Sequence, residues 1–175
     1  LLASLPVLLV LLPLMAAVAL DGRSPLYVQE RVGRGGRRFR MWKLRSMVPD
    51  AEAVLRDTLA RDPALRAEWD HHQKLRRDPR ITPVGRLIRK ASLDELPQLW
   101  NVLRGDMSLV GPRPMMPDQE ALYPGREYFA MRPGLTGLWQ VAARHDTGFS
   151  ERADFDRRYF QALSFRTDLR VLAQT

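Results

Sequence analysis

A chain of 175 residues with 28 Lys+Arg, 20 Asp+Glu and a formal charge of +8 has room for one domain with a real core, and one active site is sought in it. The absence of cysteine excludes a disulfide framework, thiolate metal sites and thiol nucleophiles, while the basic excess favours an anionic partner: nucleic acid, a phospholipid surface or a phosphorylated small substrate. The first residue falls inside an apolar run, so the expectation is a stretch of a longer protein.

Residues 1–20 carry no charge, and only Ser4, Pro6 and Pro13 interrupt their apolar side chains. As a straight helix this segment would reach roughly 30 Å, about one bilayer core. Each proline removes a backbone donor, at about 3 kcal/mol inside a helix, so a bend is expected. Residues 1–21 are therefore read as a bent, membrane-associated and re-entrant helix, with Pro6 and Pro13 as rival hinges. Ala17-Val18-Ala19 also fits a signal-peptide cleavage site. Against export stands the basic run Arg23, Arg31, Arg34, Arg37, Arg38, Arg40, Lys43 and Arg45. By the positive-inside rule that run places residues 22–175 in the cytoplasm, as a catalytic domain at the inner leaflet.

Leu26 and Val28, then Phe39 and Met41, alternate around Gly33, Gly35 and Gly36, which predicts a hairpin over 24–43 with a basic turn. Residues 49–62 read as a helix with Val54, Leu55 and Leu59 on one face; Asp62-Pro63 stops it, a second covers 64–75, and 76–83 is a loop. Leu96, Leu99, Trp100 and Leu103 fall at i, i+3, i+4 and i+7, marking a third helix closed by Gly105. Its start has two registers. A Ser92 cap would put Pro97 where a helical bond is lost, whereas an Asp94 cap puts Pro97 at the third position, where no donor is needed; the second is preferred. After a Pro- and Gly-rich loop, the turn at Arg132-Pro133-Gly134 and a short apolar piece at 138–141, Phe155, Tyr159, Ala162 and Leu163 line one helical face from Ser150 onward. Arg152, Arg157 and Arg158 take the other faces, and Leu169 and Leu172 continue beside Arg166 and Arg170. Such basic amphipathic helices suit a membrane surface or a core equally. Adjacent His71 and His72 lack a third ligand in zinc spacing and read as surface or packing residues, and the four tryptophans as core or interfacial anchors.

The chemistry gathers at Asp94 and Glu95. At a helix N-terminus the peptide dipoles would keep Asp94 ionised, and ionised carboxylates attack phosphorus or hold Mg²⁺ against substrate phosphates. Gly111-Pro112-Arg113-Pro114 sets one guanidinium between two prolines of fixed φ, a rigid anion clamp, since arginine meets phosphate oxygens in a planar fork. Lys43, Arg45 and Arg89 are further candidate phosphate contacts.

Six ordered blocks carry a resemblance: Gln29-Glu30-Arg31-Val32-Gly33; Lys43-Leu44-Arg45-Ser46-Met47; Ser92-Leu93-Asp94-Glu95-Leu96-Pro97-Gln98; Asn101-Val102-Leu103 with Gly105-Asp106-Met107-Ser108; Gly111-Pro112-Arg113-Pro114; and Arg132-Pro133-Gly134-Leu135-Thr136-Gly137. Over nearly the whole chain they resemble the bacterial sugar transferases, or monotopic phosphoglycosyl transferases, of the subgroup that initiates exopolysaccharide and O-antigen synthesis on undecaprenyl phosphate. The resemblance implies an α/β fold, mostly helical with a small antiparallel sheet, a re-entrant N-terminal membrane helix and amphipathic interfacial helices. It implies a two-step transfer of hexose-1-phosphate from a UDP-hexose, glucose or galactose, to undecaprenyl phosphate. Asp94 would form a covalent aspartyl-phosphosugar intermediate and UMP would leave. Glu95 would support Mg²⁺, with Asp94, or proton movement, and Lys43, Arg89 and Arg113 would contact phosphate. The partners on this reading are UDP-hexose, undecaprenyl phosphate and inner-leaflet phospholipid, with no nucleic acid; a homo-oligomer is left open. The alternative is a basic, membrane-attached nucleic-acid-binding or scaffold module.

Overall fold

A computed structural model describes residues 4–21, 23–142 and 148–175. The chain divides into two compact units, one formed by the residues up to Val28 with Trp42–Pro97, the other by Gln29–Met41 with Gln98–Thr175.

The first unit begins with helix α1 (Ser4–Val18), 15 residues that run on through Pro13 and end in a 3-10 turn at Ala19–Asp21. At 1.5 Å per residue α1 is about 22 Å long. Among the described residues no helix is long and apolar enough to cross a membrane. Leu11, Leu14, Met15 and Val18, spaced i, i+3, i+4 and i+7, form its inner stripe and share a core with Leu26, Leu44, Ile88 and Leu93. Leu9, 68% exposed, Val10 and Leu12 lie outside that core.

Strands β1 (Leu26–Val32) and β2 (Arg38–Leu44) make the expected antiparallel hairpin, its base in the first unit and its tip in the second. The turn works because Gly35 and Gly36 both take positive φ, a region that costs other residues energy. Helices α2 (Ala51–Arg61) and α3 (Pro63–His72) meet at Asp62, whose carboxylate accepts from the amides of Ala64 and Leu65. The loop after α3 ends in a helix missing from the sequence reading, α4 (Pro83–Lys90). Its signal is short: Thr82 caps the amide of Gly85 at 2.9 Å, and Pro83 sits at the first position, where its missing donor costs nothing.

The second unit holds α5 (Gln98–Arg104), β3 (Ser108–Val110), α6 (Glu127–Ala130), β4 (Gly134–Thr136), α7 (Leu138–Ala142), α8 (Arg152–Gln161) and α9 (Phe165–Ala173). Beyond the expected hairpin there is a second small pair: β3 and β4 run parallel, with Ser108 opposite Gly134 and Val110 opposite Thr136. One core gathers Val32, Met115, Tyr123, Tyr128, Phe149 and Ala153; the other gathers Val110, Met131, Tyr159 and Val171.

Three expectations are corrected. Neither proposed register holds for the third helix, because Leu93–Glu95 forms its own 3-10 turn after Ser92 at φ 55, and α5 starts only at Gln98. Pro97 has no N–H to continue the ladder, so the turn bearing Asp94 and the helix part company there. The apolar stripe of α5 also faces outward: Trp100 is 57% and Leu103 76% exposed, while Gln98 and Asn101 are buried. Asn101 explains the inversion, since its Nδ2 donates to the Arg40 carbonyl at 2.7 Å and an unmade bond there would be expensive. Gly105 closes α5 with φ 81, as expected. Finally, of the C-terminal amphipathic helices α8 stops before Ala162, so Ala162 and Leu163 do not continue its face, and Arg152 is buried.

Candidate active site

Asp94 lies in the middle of the Leu93–Glu95 turn, with 5% of its surface exposed. A three-residue 3-10 turn carries little aligned dipole, so the helix field expected from the sequence does not govern this carboxyl. Burial does. It pushes the Asp94 carboxyl above its ordinary value of 3.8, and the Glu95 carboxylate adds to the rise, while Lys43 and Arg89 pull against it.

Those neighbours arrive from three elements of the first unit. Lys43, near the end of β2, extends Nζ to Glu95 Oε1 at 3.1 Å. Arg89, in the last turn of α4, donates Nε to the Ser46 hydroxyl at 2.7 Å. Ser46 is buried and its carbonyl accepts from the amide of Thr82 at 3.1 Å, so one residue fixes both the entry to α4 and the guanidinium near its end. Gly85 makes this approach feasible: a Cβ there would stand 1.9 Å from the Ser46 carbonyl oxygen. The structure thus brings Lys43, Arg89, Asp94 and Glu95 into one electrostatic cluster.

Arg45 is directed elsewhere. Its Nη2 donates to the Val18 carbonyl at 2.9 Å and its Nε to the Ser24 carbonyl at 2.8 Å, which places a cation at the C-terminal end of α1, where the free carbonyls favour positive charge.

Arg113 belongs to the second unit. Its loop leaves β3 and is bonded along its backbone: the Gly111 amide donates to the Thr136 carbonyl (2.9 Å), the Gly134 amide to Pro112 (2.8 Å), and Arg31 Nη1 to Pro114 (3.4 Å). A Cβ on Gly137 would fall 2.0 Å from the Gly111 carbonyl oxygen, so the glycines of the 134–137 segment allow that contact. The Arg113 carbonyl accepts from Arg152 Nη2 at 2.8 Å. Ser46, Gly85 and Arg152 carry no mark of a site role in the sequence: Ser46 lies inside the block 43–47, and Gly85 and Arg152 have no local signal.

Among the described residues no group of three or more His, Cys, Asp or Glu could hold a metal on protein ligands. Asp94 and Glu95 do offer the one or two carboxylates that Mg²⁺ takes when substrate phosphates and water complete its shell. The arrangement can therefore supply an under-solvated carboxylate, a second carboxylate beside it and two cations suited to a phosphorylated substrate.

A family model described as bacterial sugar transferase matches residues 1–175. The chain is 49% identical over its whole length to a UDP-galactose-lipid carrier transferase of Erwinia amylovora, covering 38% of that protein. It is 48% identical over 98% of its length to an undecaprenyl-phosphate galactose phosphotransferase of Salmonella typhimurium, covering 37% of it. Over 89% of its length it is 44% identical to the exopolysaccharide production protein ExoY of Sinorhizobium fredii, covering 70% of that protein. The chain thus spans less than two fifths of the length of the first two relatives.

Proposed function

Because this chain belongs to the bacterial sugar transferase family, we propose that it moves hexose-1-phosphate from a UDP-hexose to undecaprenyl phosphate, at the start of exopolysaccharide or O-antigen synthesis. The observation that carries the reading is the buried Asp94 carboxyl set among Glu95, Lys43 and Arg89. A carboxylate stripped of water and flanked by cations is poised to attack an electrophilic phosphorus whose own charge those cations offset.

In the first step an Asp94 carboxylate oxygen bonds to the β-phosphorus of UDP-hexose, and the bond from that phosphorus to the bridging oxygen breaks. UMP leaves with the bridging oxygen. In the second step an oxygen of undecaprenyl phosphate attacks the same phosphorus, the acyl-phosphate bond breaks, and Asp94 returns as a carboxylate. Splitting the transfer suits a donor that comes from water and an acceptor that comes from lipid. Lys43 and Arg89 balance the diphosphate charge, and Arg113 is assigned to donor phosphate by the block in which it stands. Bound through Asp94 and Glu95, Mg²⁺ would offset charge on the donor's phosphate oxygens. Arg45 is withdrawn from the phosphate contacts, since its guanidinium holds the end of α1. Galactose stands in the names of relatives 48% and 49% identical, and glucose in the names of relatives 39% and 41% identical, so both donors are tested.

The apolar residues of α1 that lie outside the first unit's core, Leu9, Val10 and Leu12, support seating this helix in the inner leaflet as a re-entrant segment. On the second unit Phe160, Leu163, Phe165, Leu169 and Leu172 on and between α8 and α9 support an interfacial role.

The test is intact mass spectrometry of purified protein incubated with UDP-galactose or UDP-glucose and Mg²⁺, without acceptor. A hexose-phosphate adduct with equimolar UMP is expected from one donor and is absent in Asp94→Asn. UMP formed only after acceptor is added, with no adduct at any time, would overturn the two-step scheme.

A further inference from the structure

Arg152, the first residue of α8, is 8% exposed and buried between two rings: its guanidinium carbon lies 4.9 Å from the centroid of Phe149 and 5.0 Å from that of Trp139. Among the described residues no carboxylate forms an ion pair with it. Asp156, one turn along α8, lends attraction from a distance, but its Oδ2 accepts from the Tyr123 hydroxyl at 2.7 Å. Burial, and then the nearby Arg113, lower the Arg152 guanidinium to about 10, so at neutral pH it remains a cation inside the protein.

Such a group is costly. Two ring faces return part of the desolvation energy, yet a methionine of similar reach would pack there without the charge. What arginine adds is a charged donor, and that donor is spent on the carbonyl of Arg113 at 2.8 Å. The flanking positions of the same loop are tied by Thr136, Gly134 and Arg31; Arg152 is the tie at Arg113 itself.

We propose that Arg152 is a positioning residue, which fixes the backbone at Arg113 so that the Arg113 guanidinium is presented in one orientation to the phosphates of the donor. The inference rests on the reading that Arg113 binds those phosphates. Without the tie, the clamp must be ordered by the donor itself, which weakens donor binding and leaves the chemical step alone.

The experiment is a double-mutant cycle on the full chain in detergent, with initial UMP release measured against UDP-hexose concentration. Arg152→Met is expected to raise KM about tenfold with kcat changed less than about threefold, and Arg152→Lys to restore most of the loss. In an Arg113→Met background, Arg152→Met should raise KM by less than about twofold further, because the group it acts through has gone. Val171→Ala, in the α9 core, should lower the melting temperature without moving KM. If Arg152→Met does not accumulate as folded protein, Arg152→Leu, which also lacks a donor, takes its place with the same expected cycle. An unchanged KM, or Arg152 and Arg113 effects that multiply, would overturn the inference while leaving the Arg113 reading intact. An Arg113→Met enzyme with wild-type KM would overturn both.

Discussion

Gly85→Ala asks how tightly the first unit is built around the candidate nucleophile. The added Cβ would lie 1.9 Å from the Ser46 carbonyl oxygen, 2.6 Å from its carbonyl carbon and 2.8 Å from its Cα, all backbone atoms that no rotamer change can move. To reach ordinary contact near 3.4 Å, α4 must retreat by about 1.5 Å. The Arg89 Nε to Ser46 Oγ bond, 2.7 Å long, would stretch out of range with it. Overpacking costs about 1–3 kcal/mol, loss of a charged hydrogen bond about 1.5–3, and the better helix propensity of alanine returns about 1, so a net loss near 3 kcal/mol follows. In a chain of 175 residues that is a fall of about 6–12 °C in melting temperature. Thermal denaturation in detergent reads the stability, and UMP release reads the displacement of Arg89. An alanine variant that melts within about 1 °C of wild type and turns over donor at the wild-type rate would refute the account of this contact.

Two further outcomes follow from the same structure. On the proposed mechanism Asp94 must be ionised to attack, and burial raises its pKa above 3.8, so adduct formation should fail on acidification at a pH above that value. Lys43→Met removes a group that pulls the pKa down and should move this limb to still higher pH, as single-turnover pH profiles would show; a limb that stays in place would contradict the assigned electrostatics. Replacing Leu9 and Leu12 together by glutamate should abolish flotation with anionic phospholipid vesicles while sparing the fold by circular dichroism, and unchanged flotation would remove α1 from the membrane contact.

Much of the architecture is legible before folding because it is local. The hairpin follows from alternation around Gly33, Gly35 and Gly36, and α2 and α3 from an Asp-Pro boundary that caps as it stops. Asp94, Glu95 and Lys43 stand in ordered blocks and Arg89 is a cation just before Asp94, and these four candidate residues gather in one unit. What local pattern hides is which face a helix turns inward. The stripe of α5 looks like a core face, yet Asn101 wins the interior through a bond to Arg40, sixty-one residues away in sequence. Arg152 reads as a surface charge because its rings and carbonyl partner come from Phe149, Trp139 and Arg113, the last of them thirty-nine residues distant. Arg45 matches a phosphate contact in type and position, and only the fold shows its guanidinium committed to Val18 and Ser24. The parallel pairing of two three-residue strands leaves no periodic trace at all.

The stripe of α1 made by Leu11, Leu14, Met15 and Val18 shares its core with Leu44 and Leu93, which adjoin Lys43 and Asp94 in the chain. Among the described residues, packed side chains therefore join the helix proposed to sit in lipid to the carboxylate proposed to react. On the proposed function, the elevation of Asp94 over the bilayer becomes a property of packed methyl groups, and a polyprenyl headgroup would find it at one fixed height. Trimming Leu14 would then retune catalysis without touching any polar atom of the site.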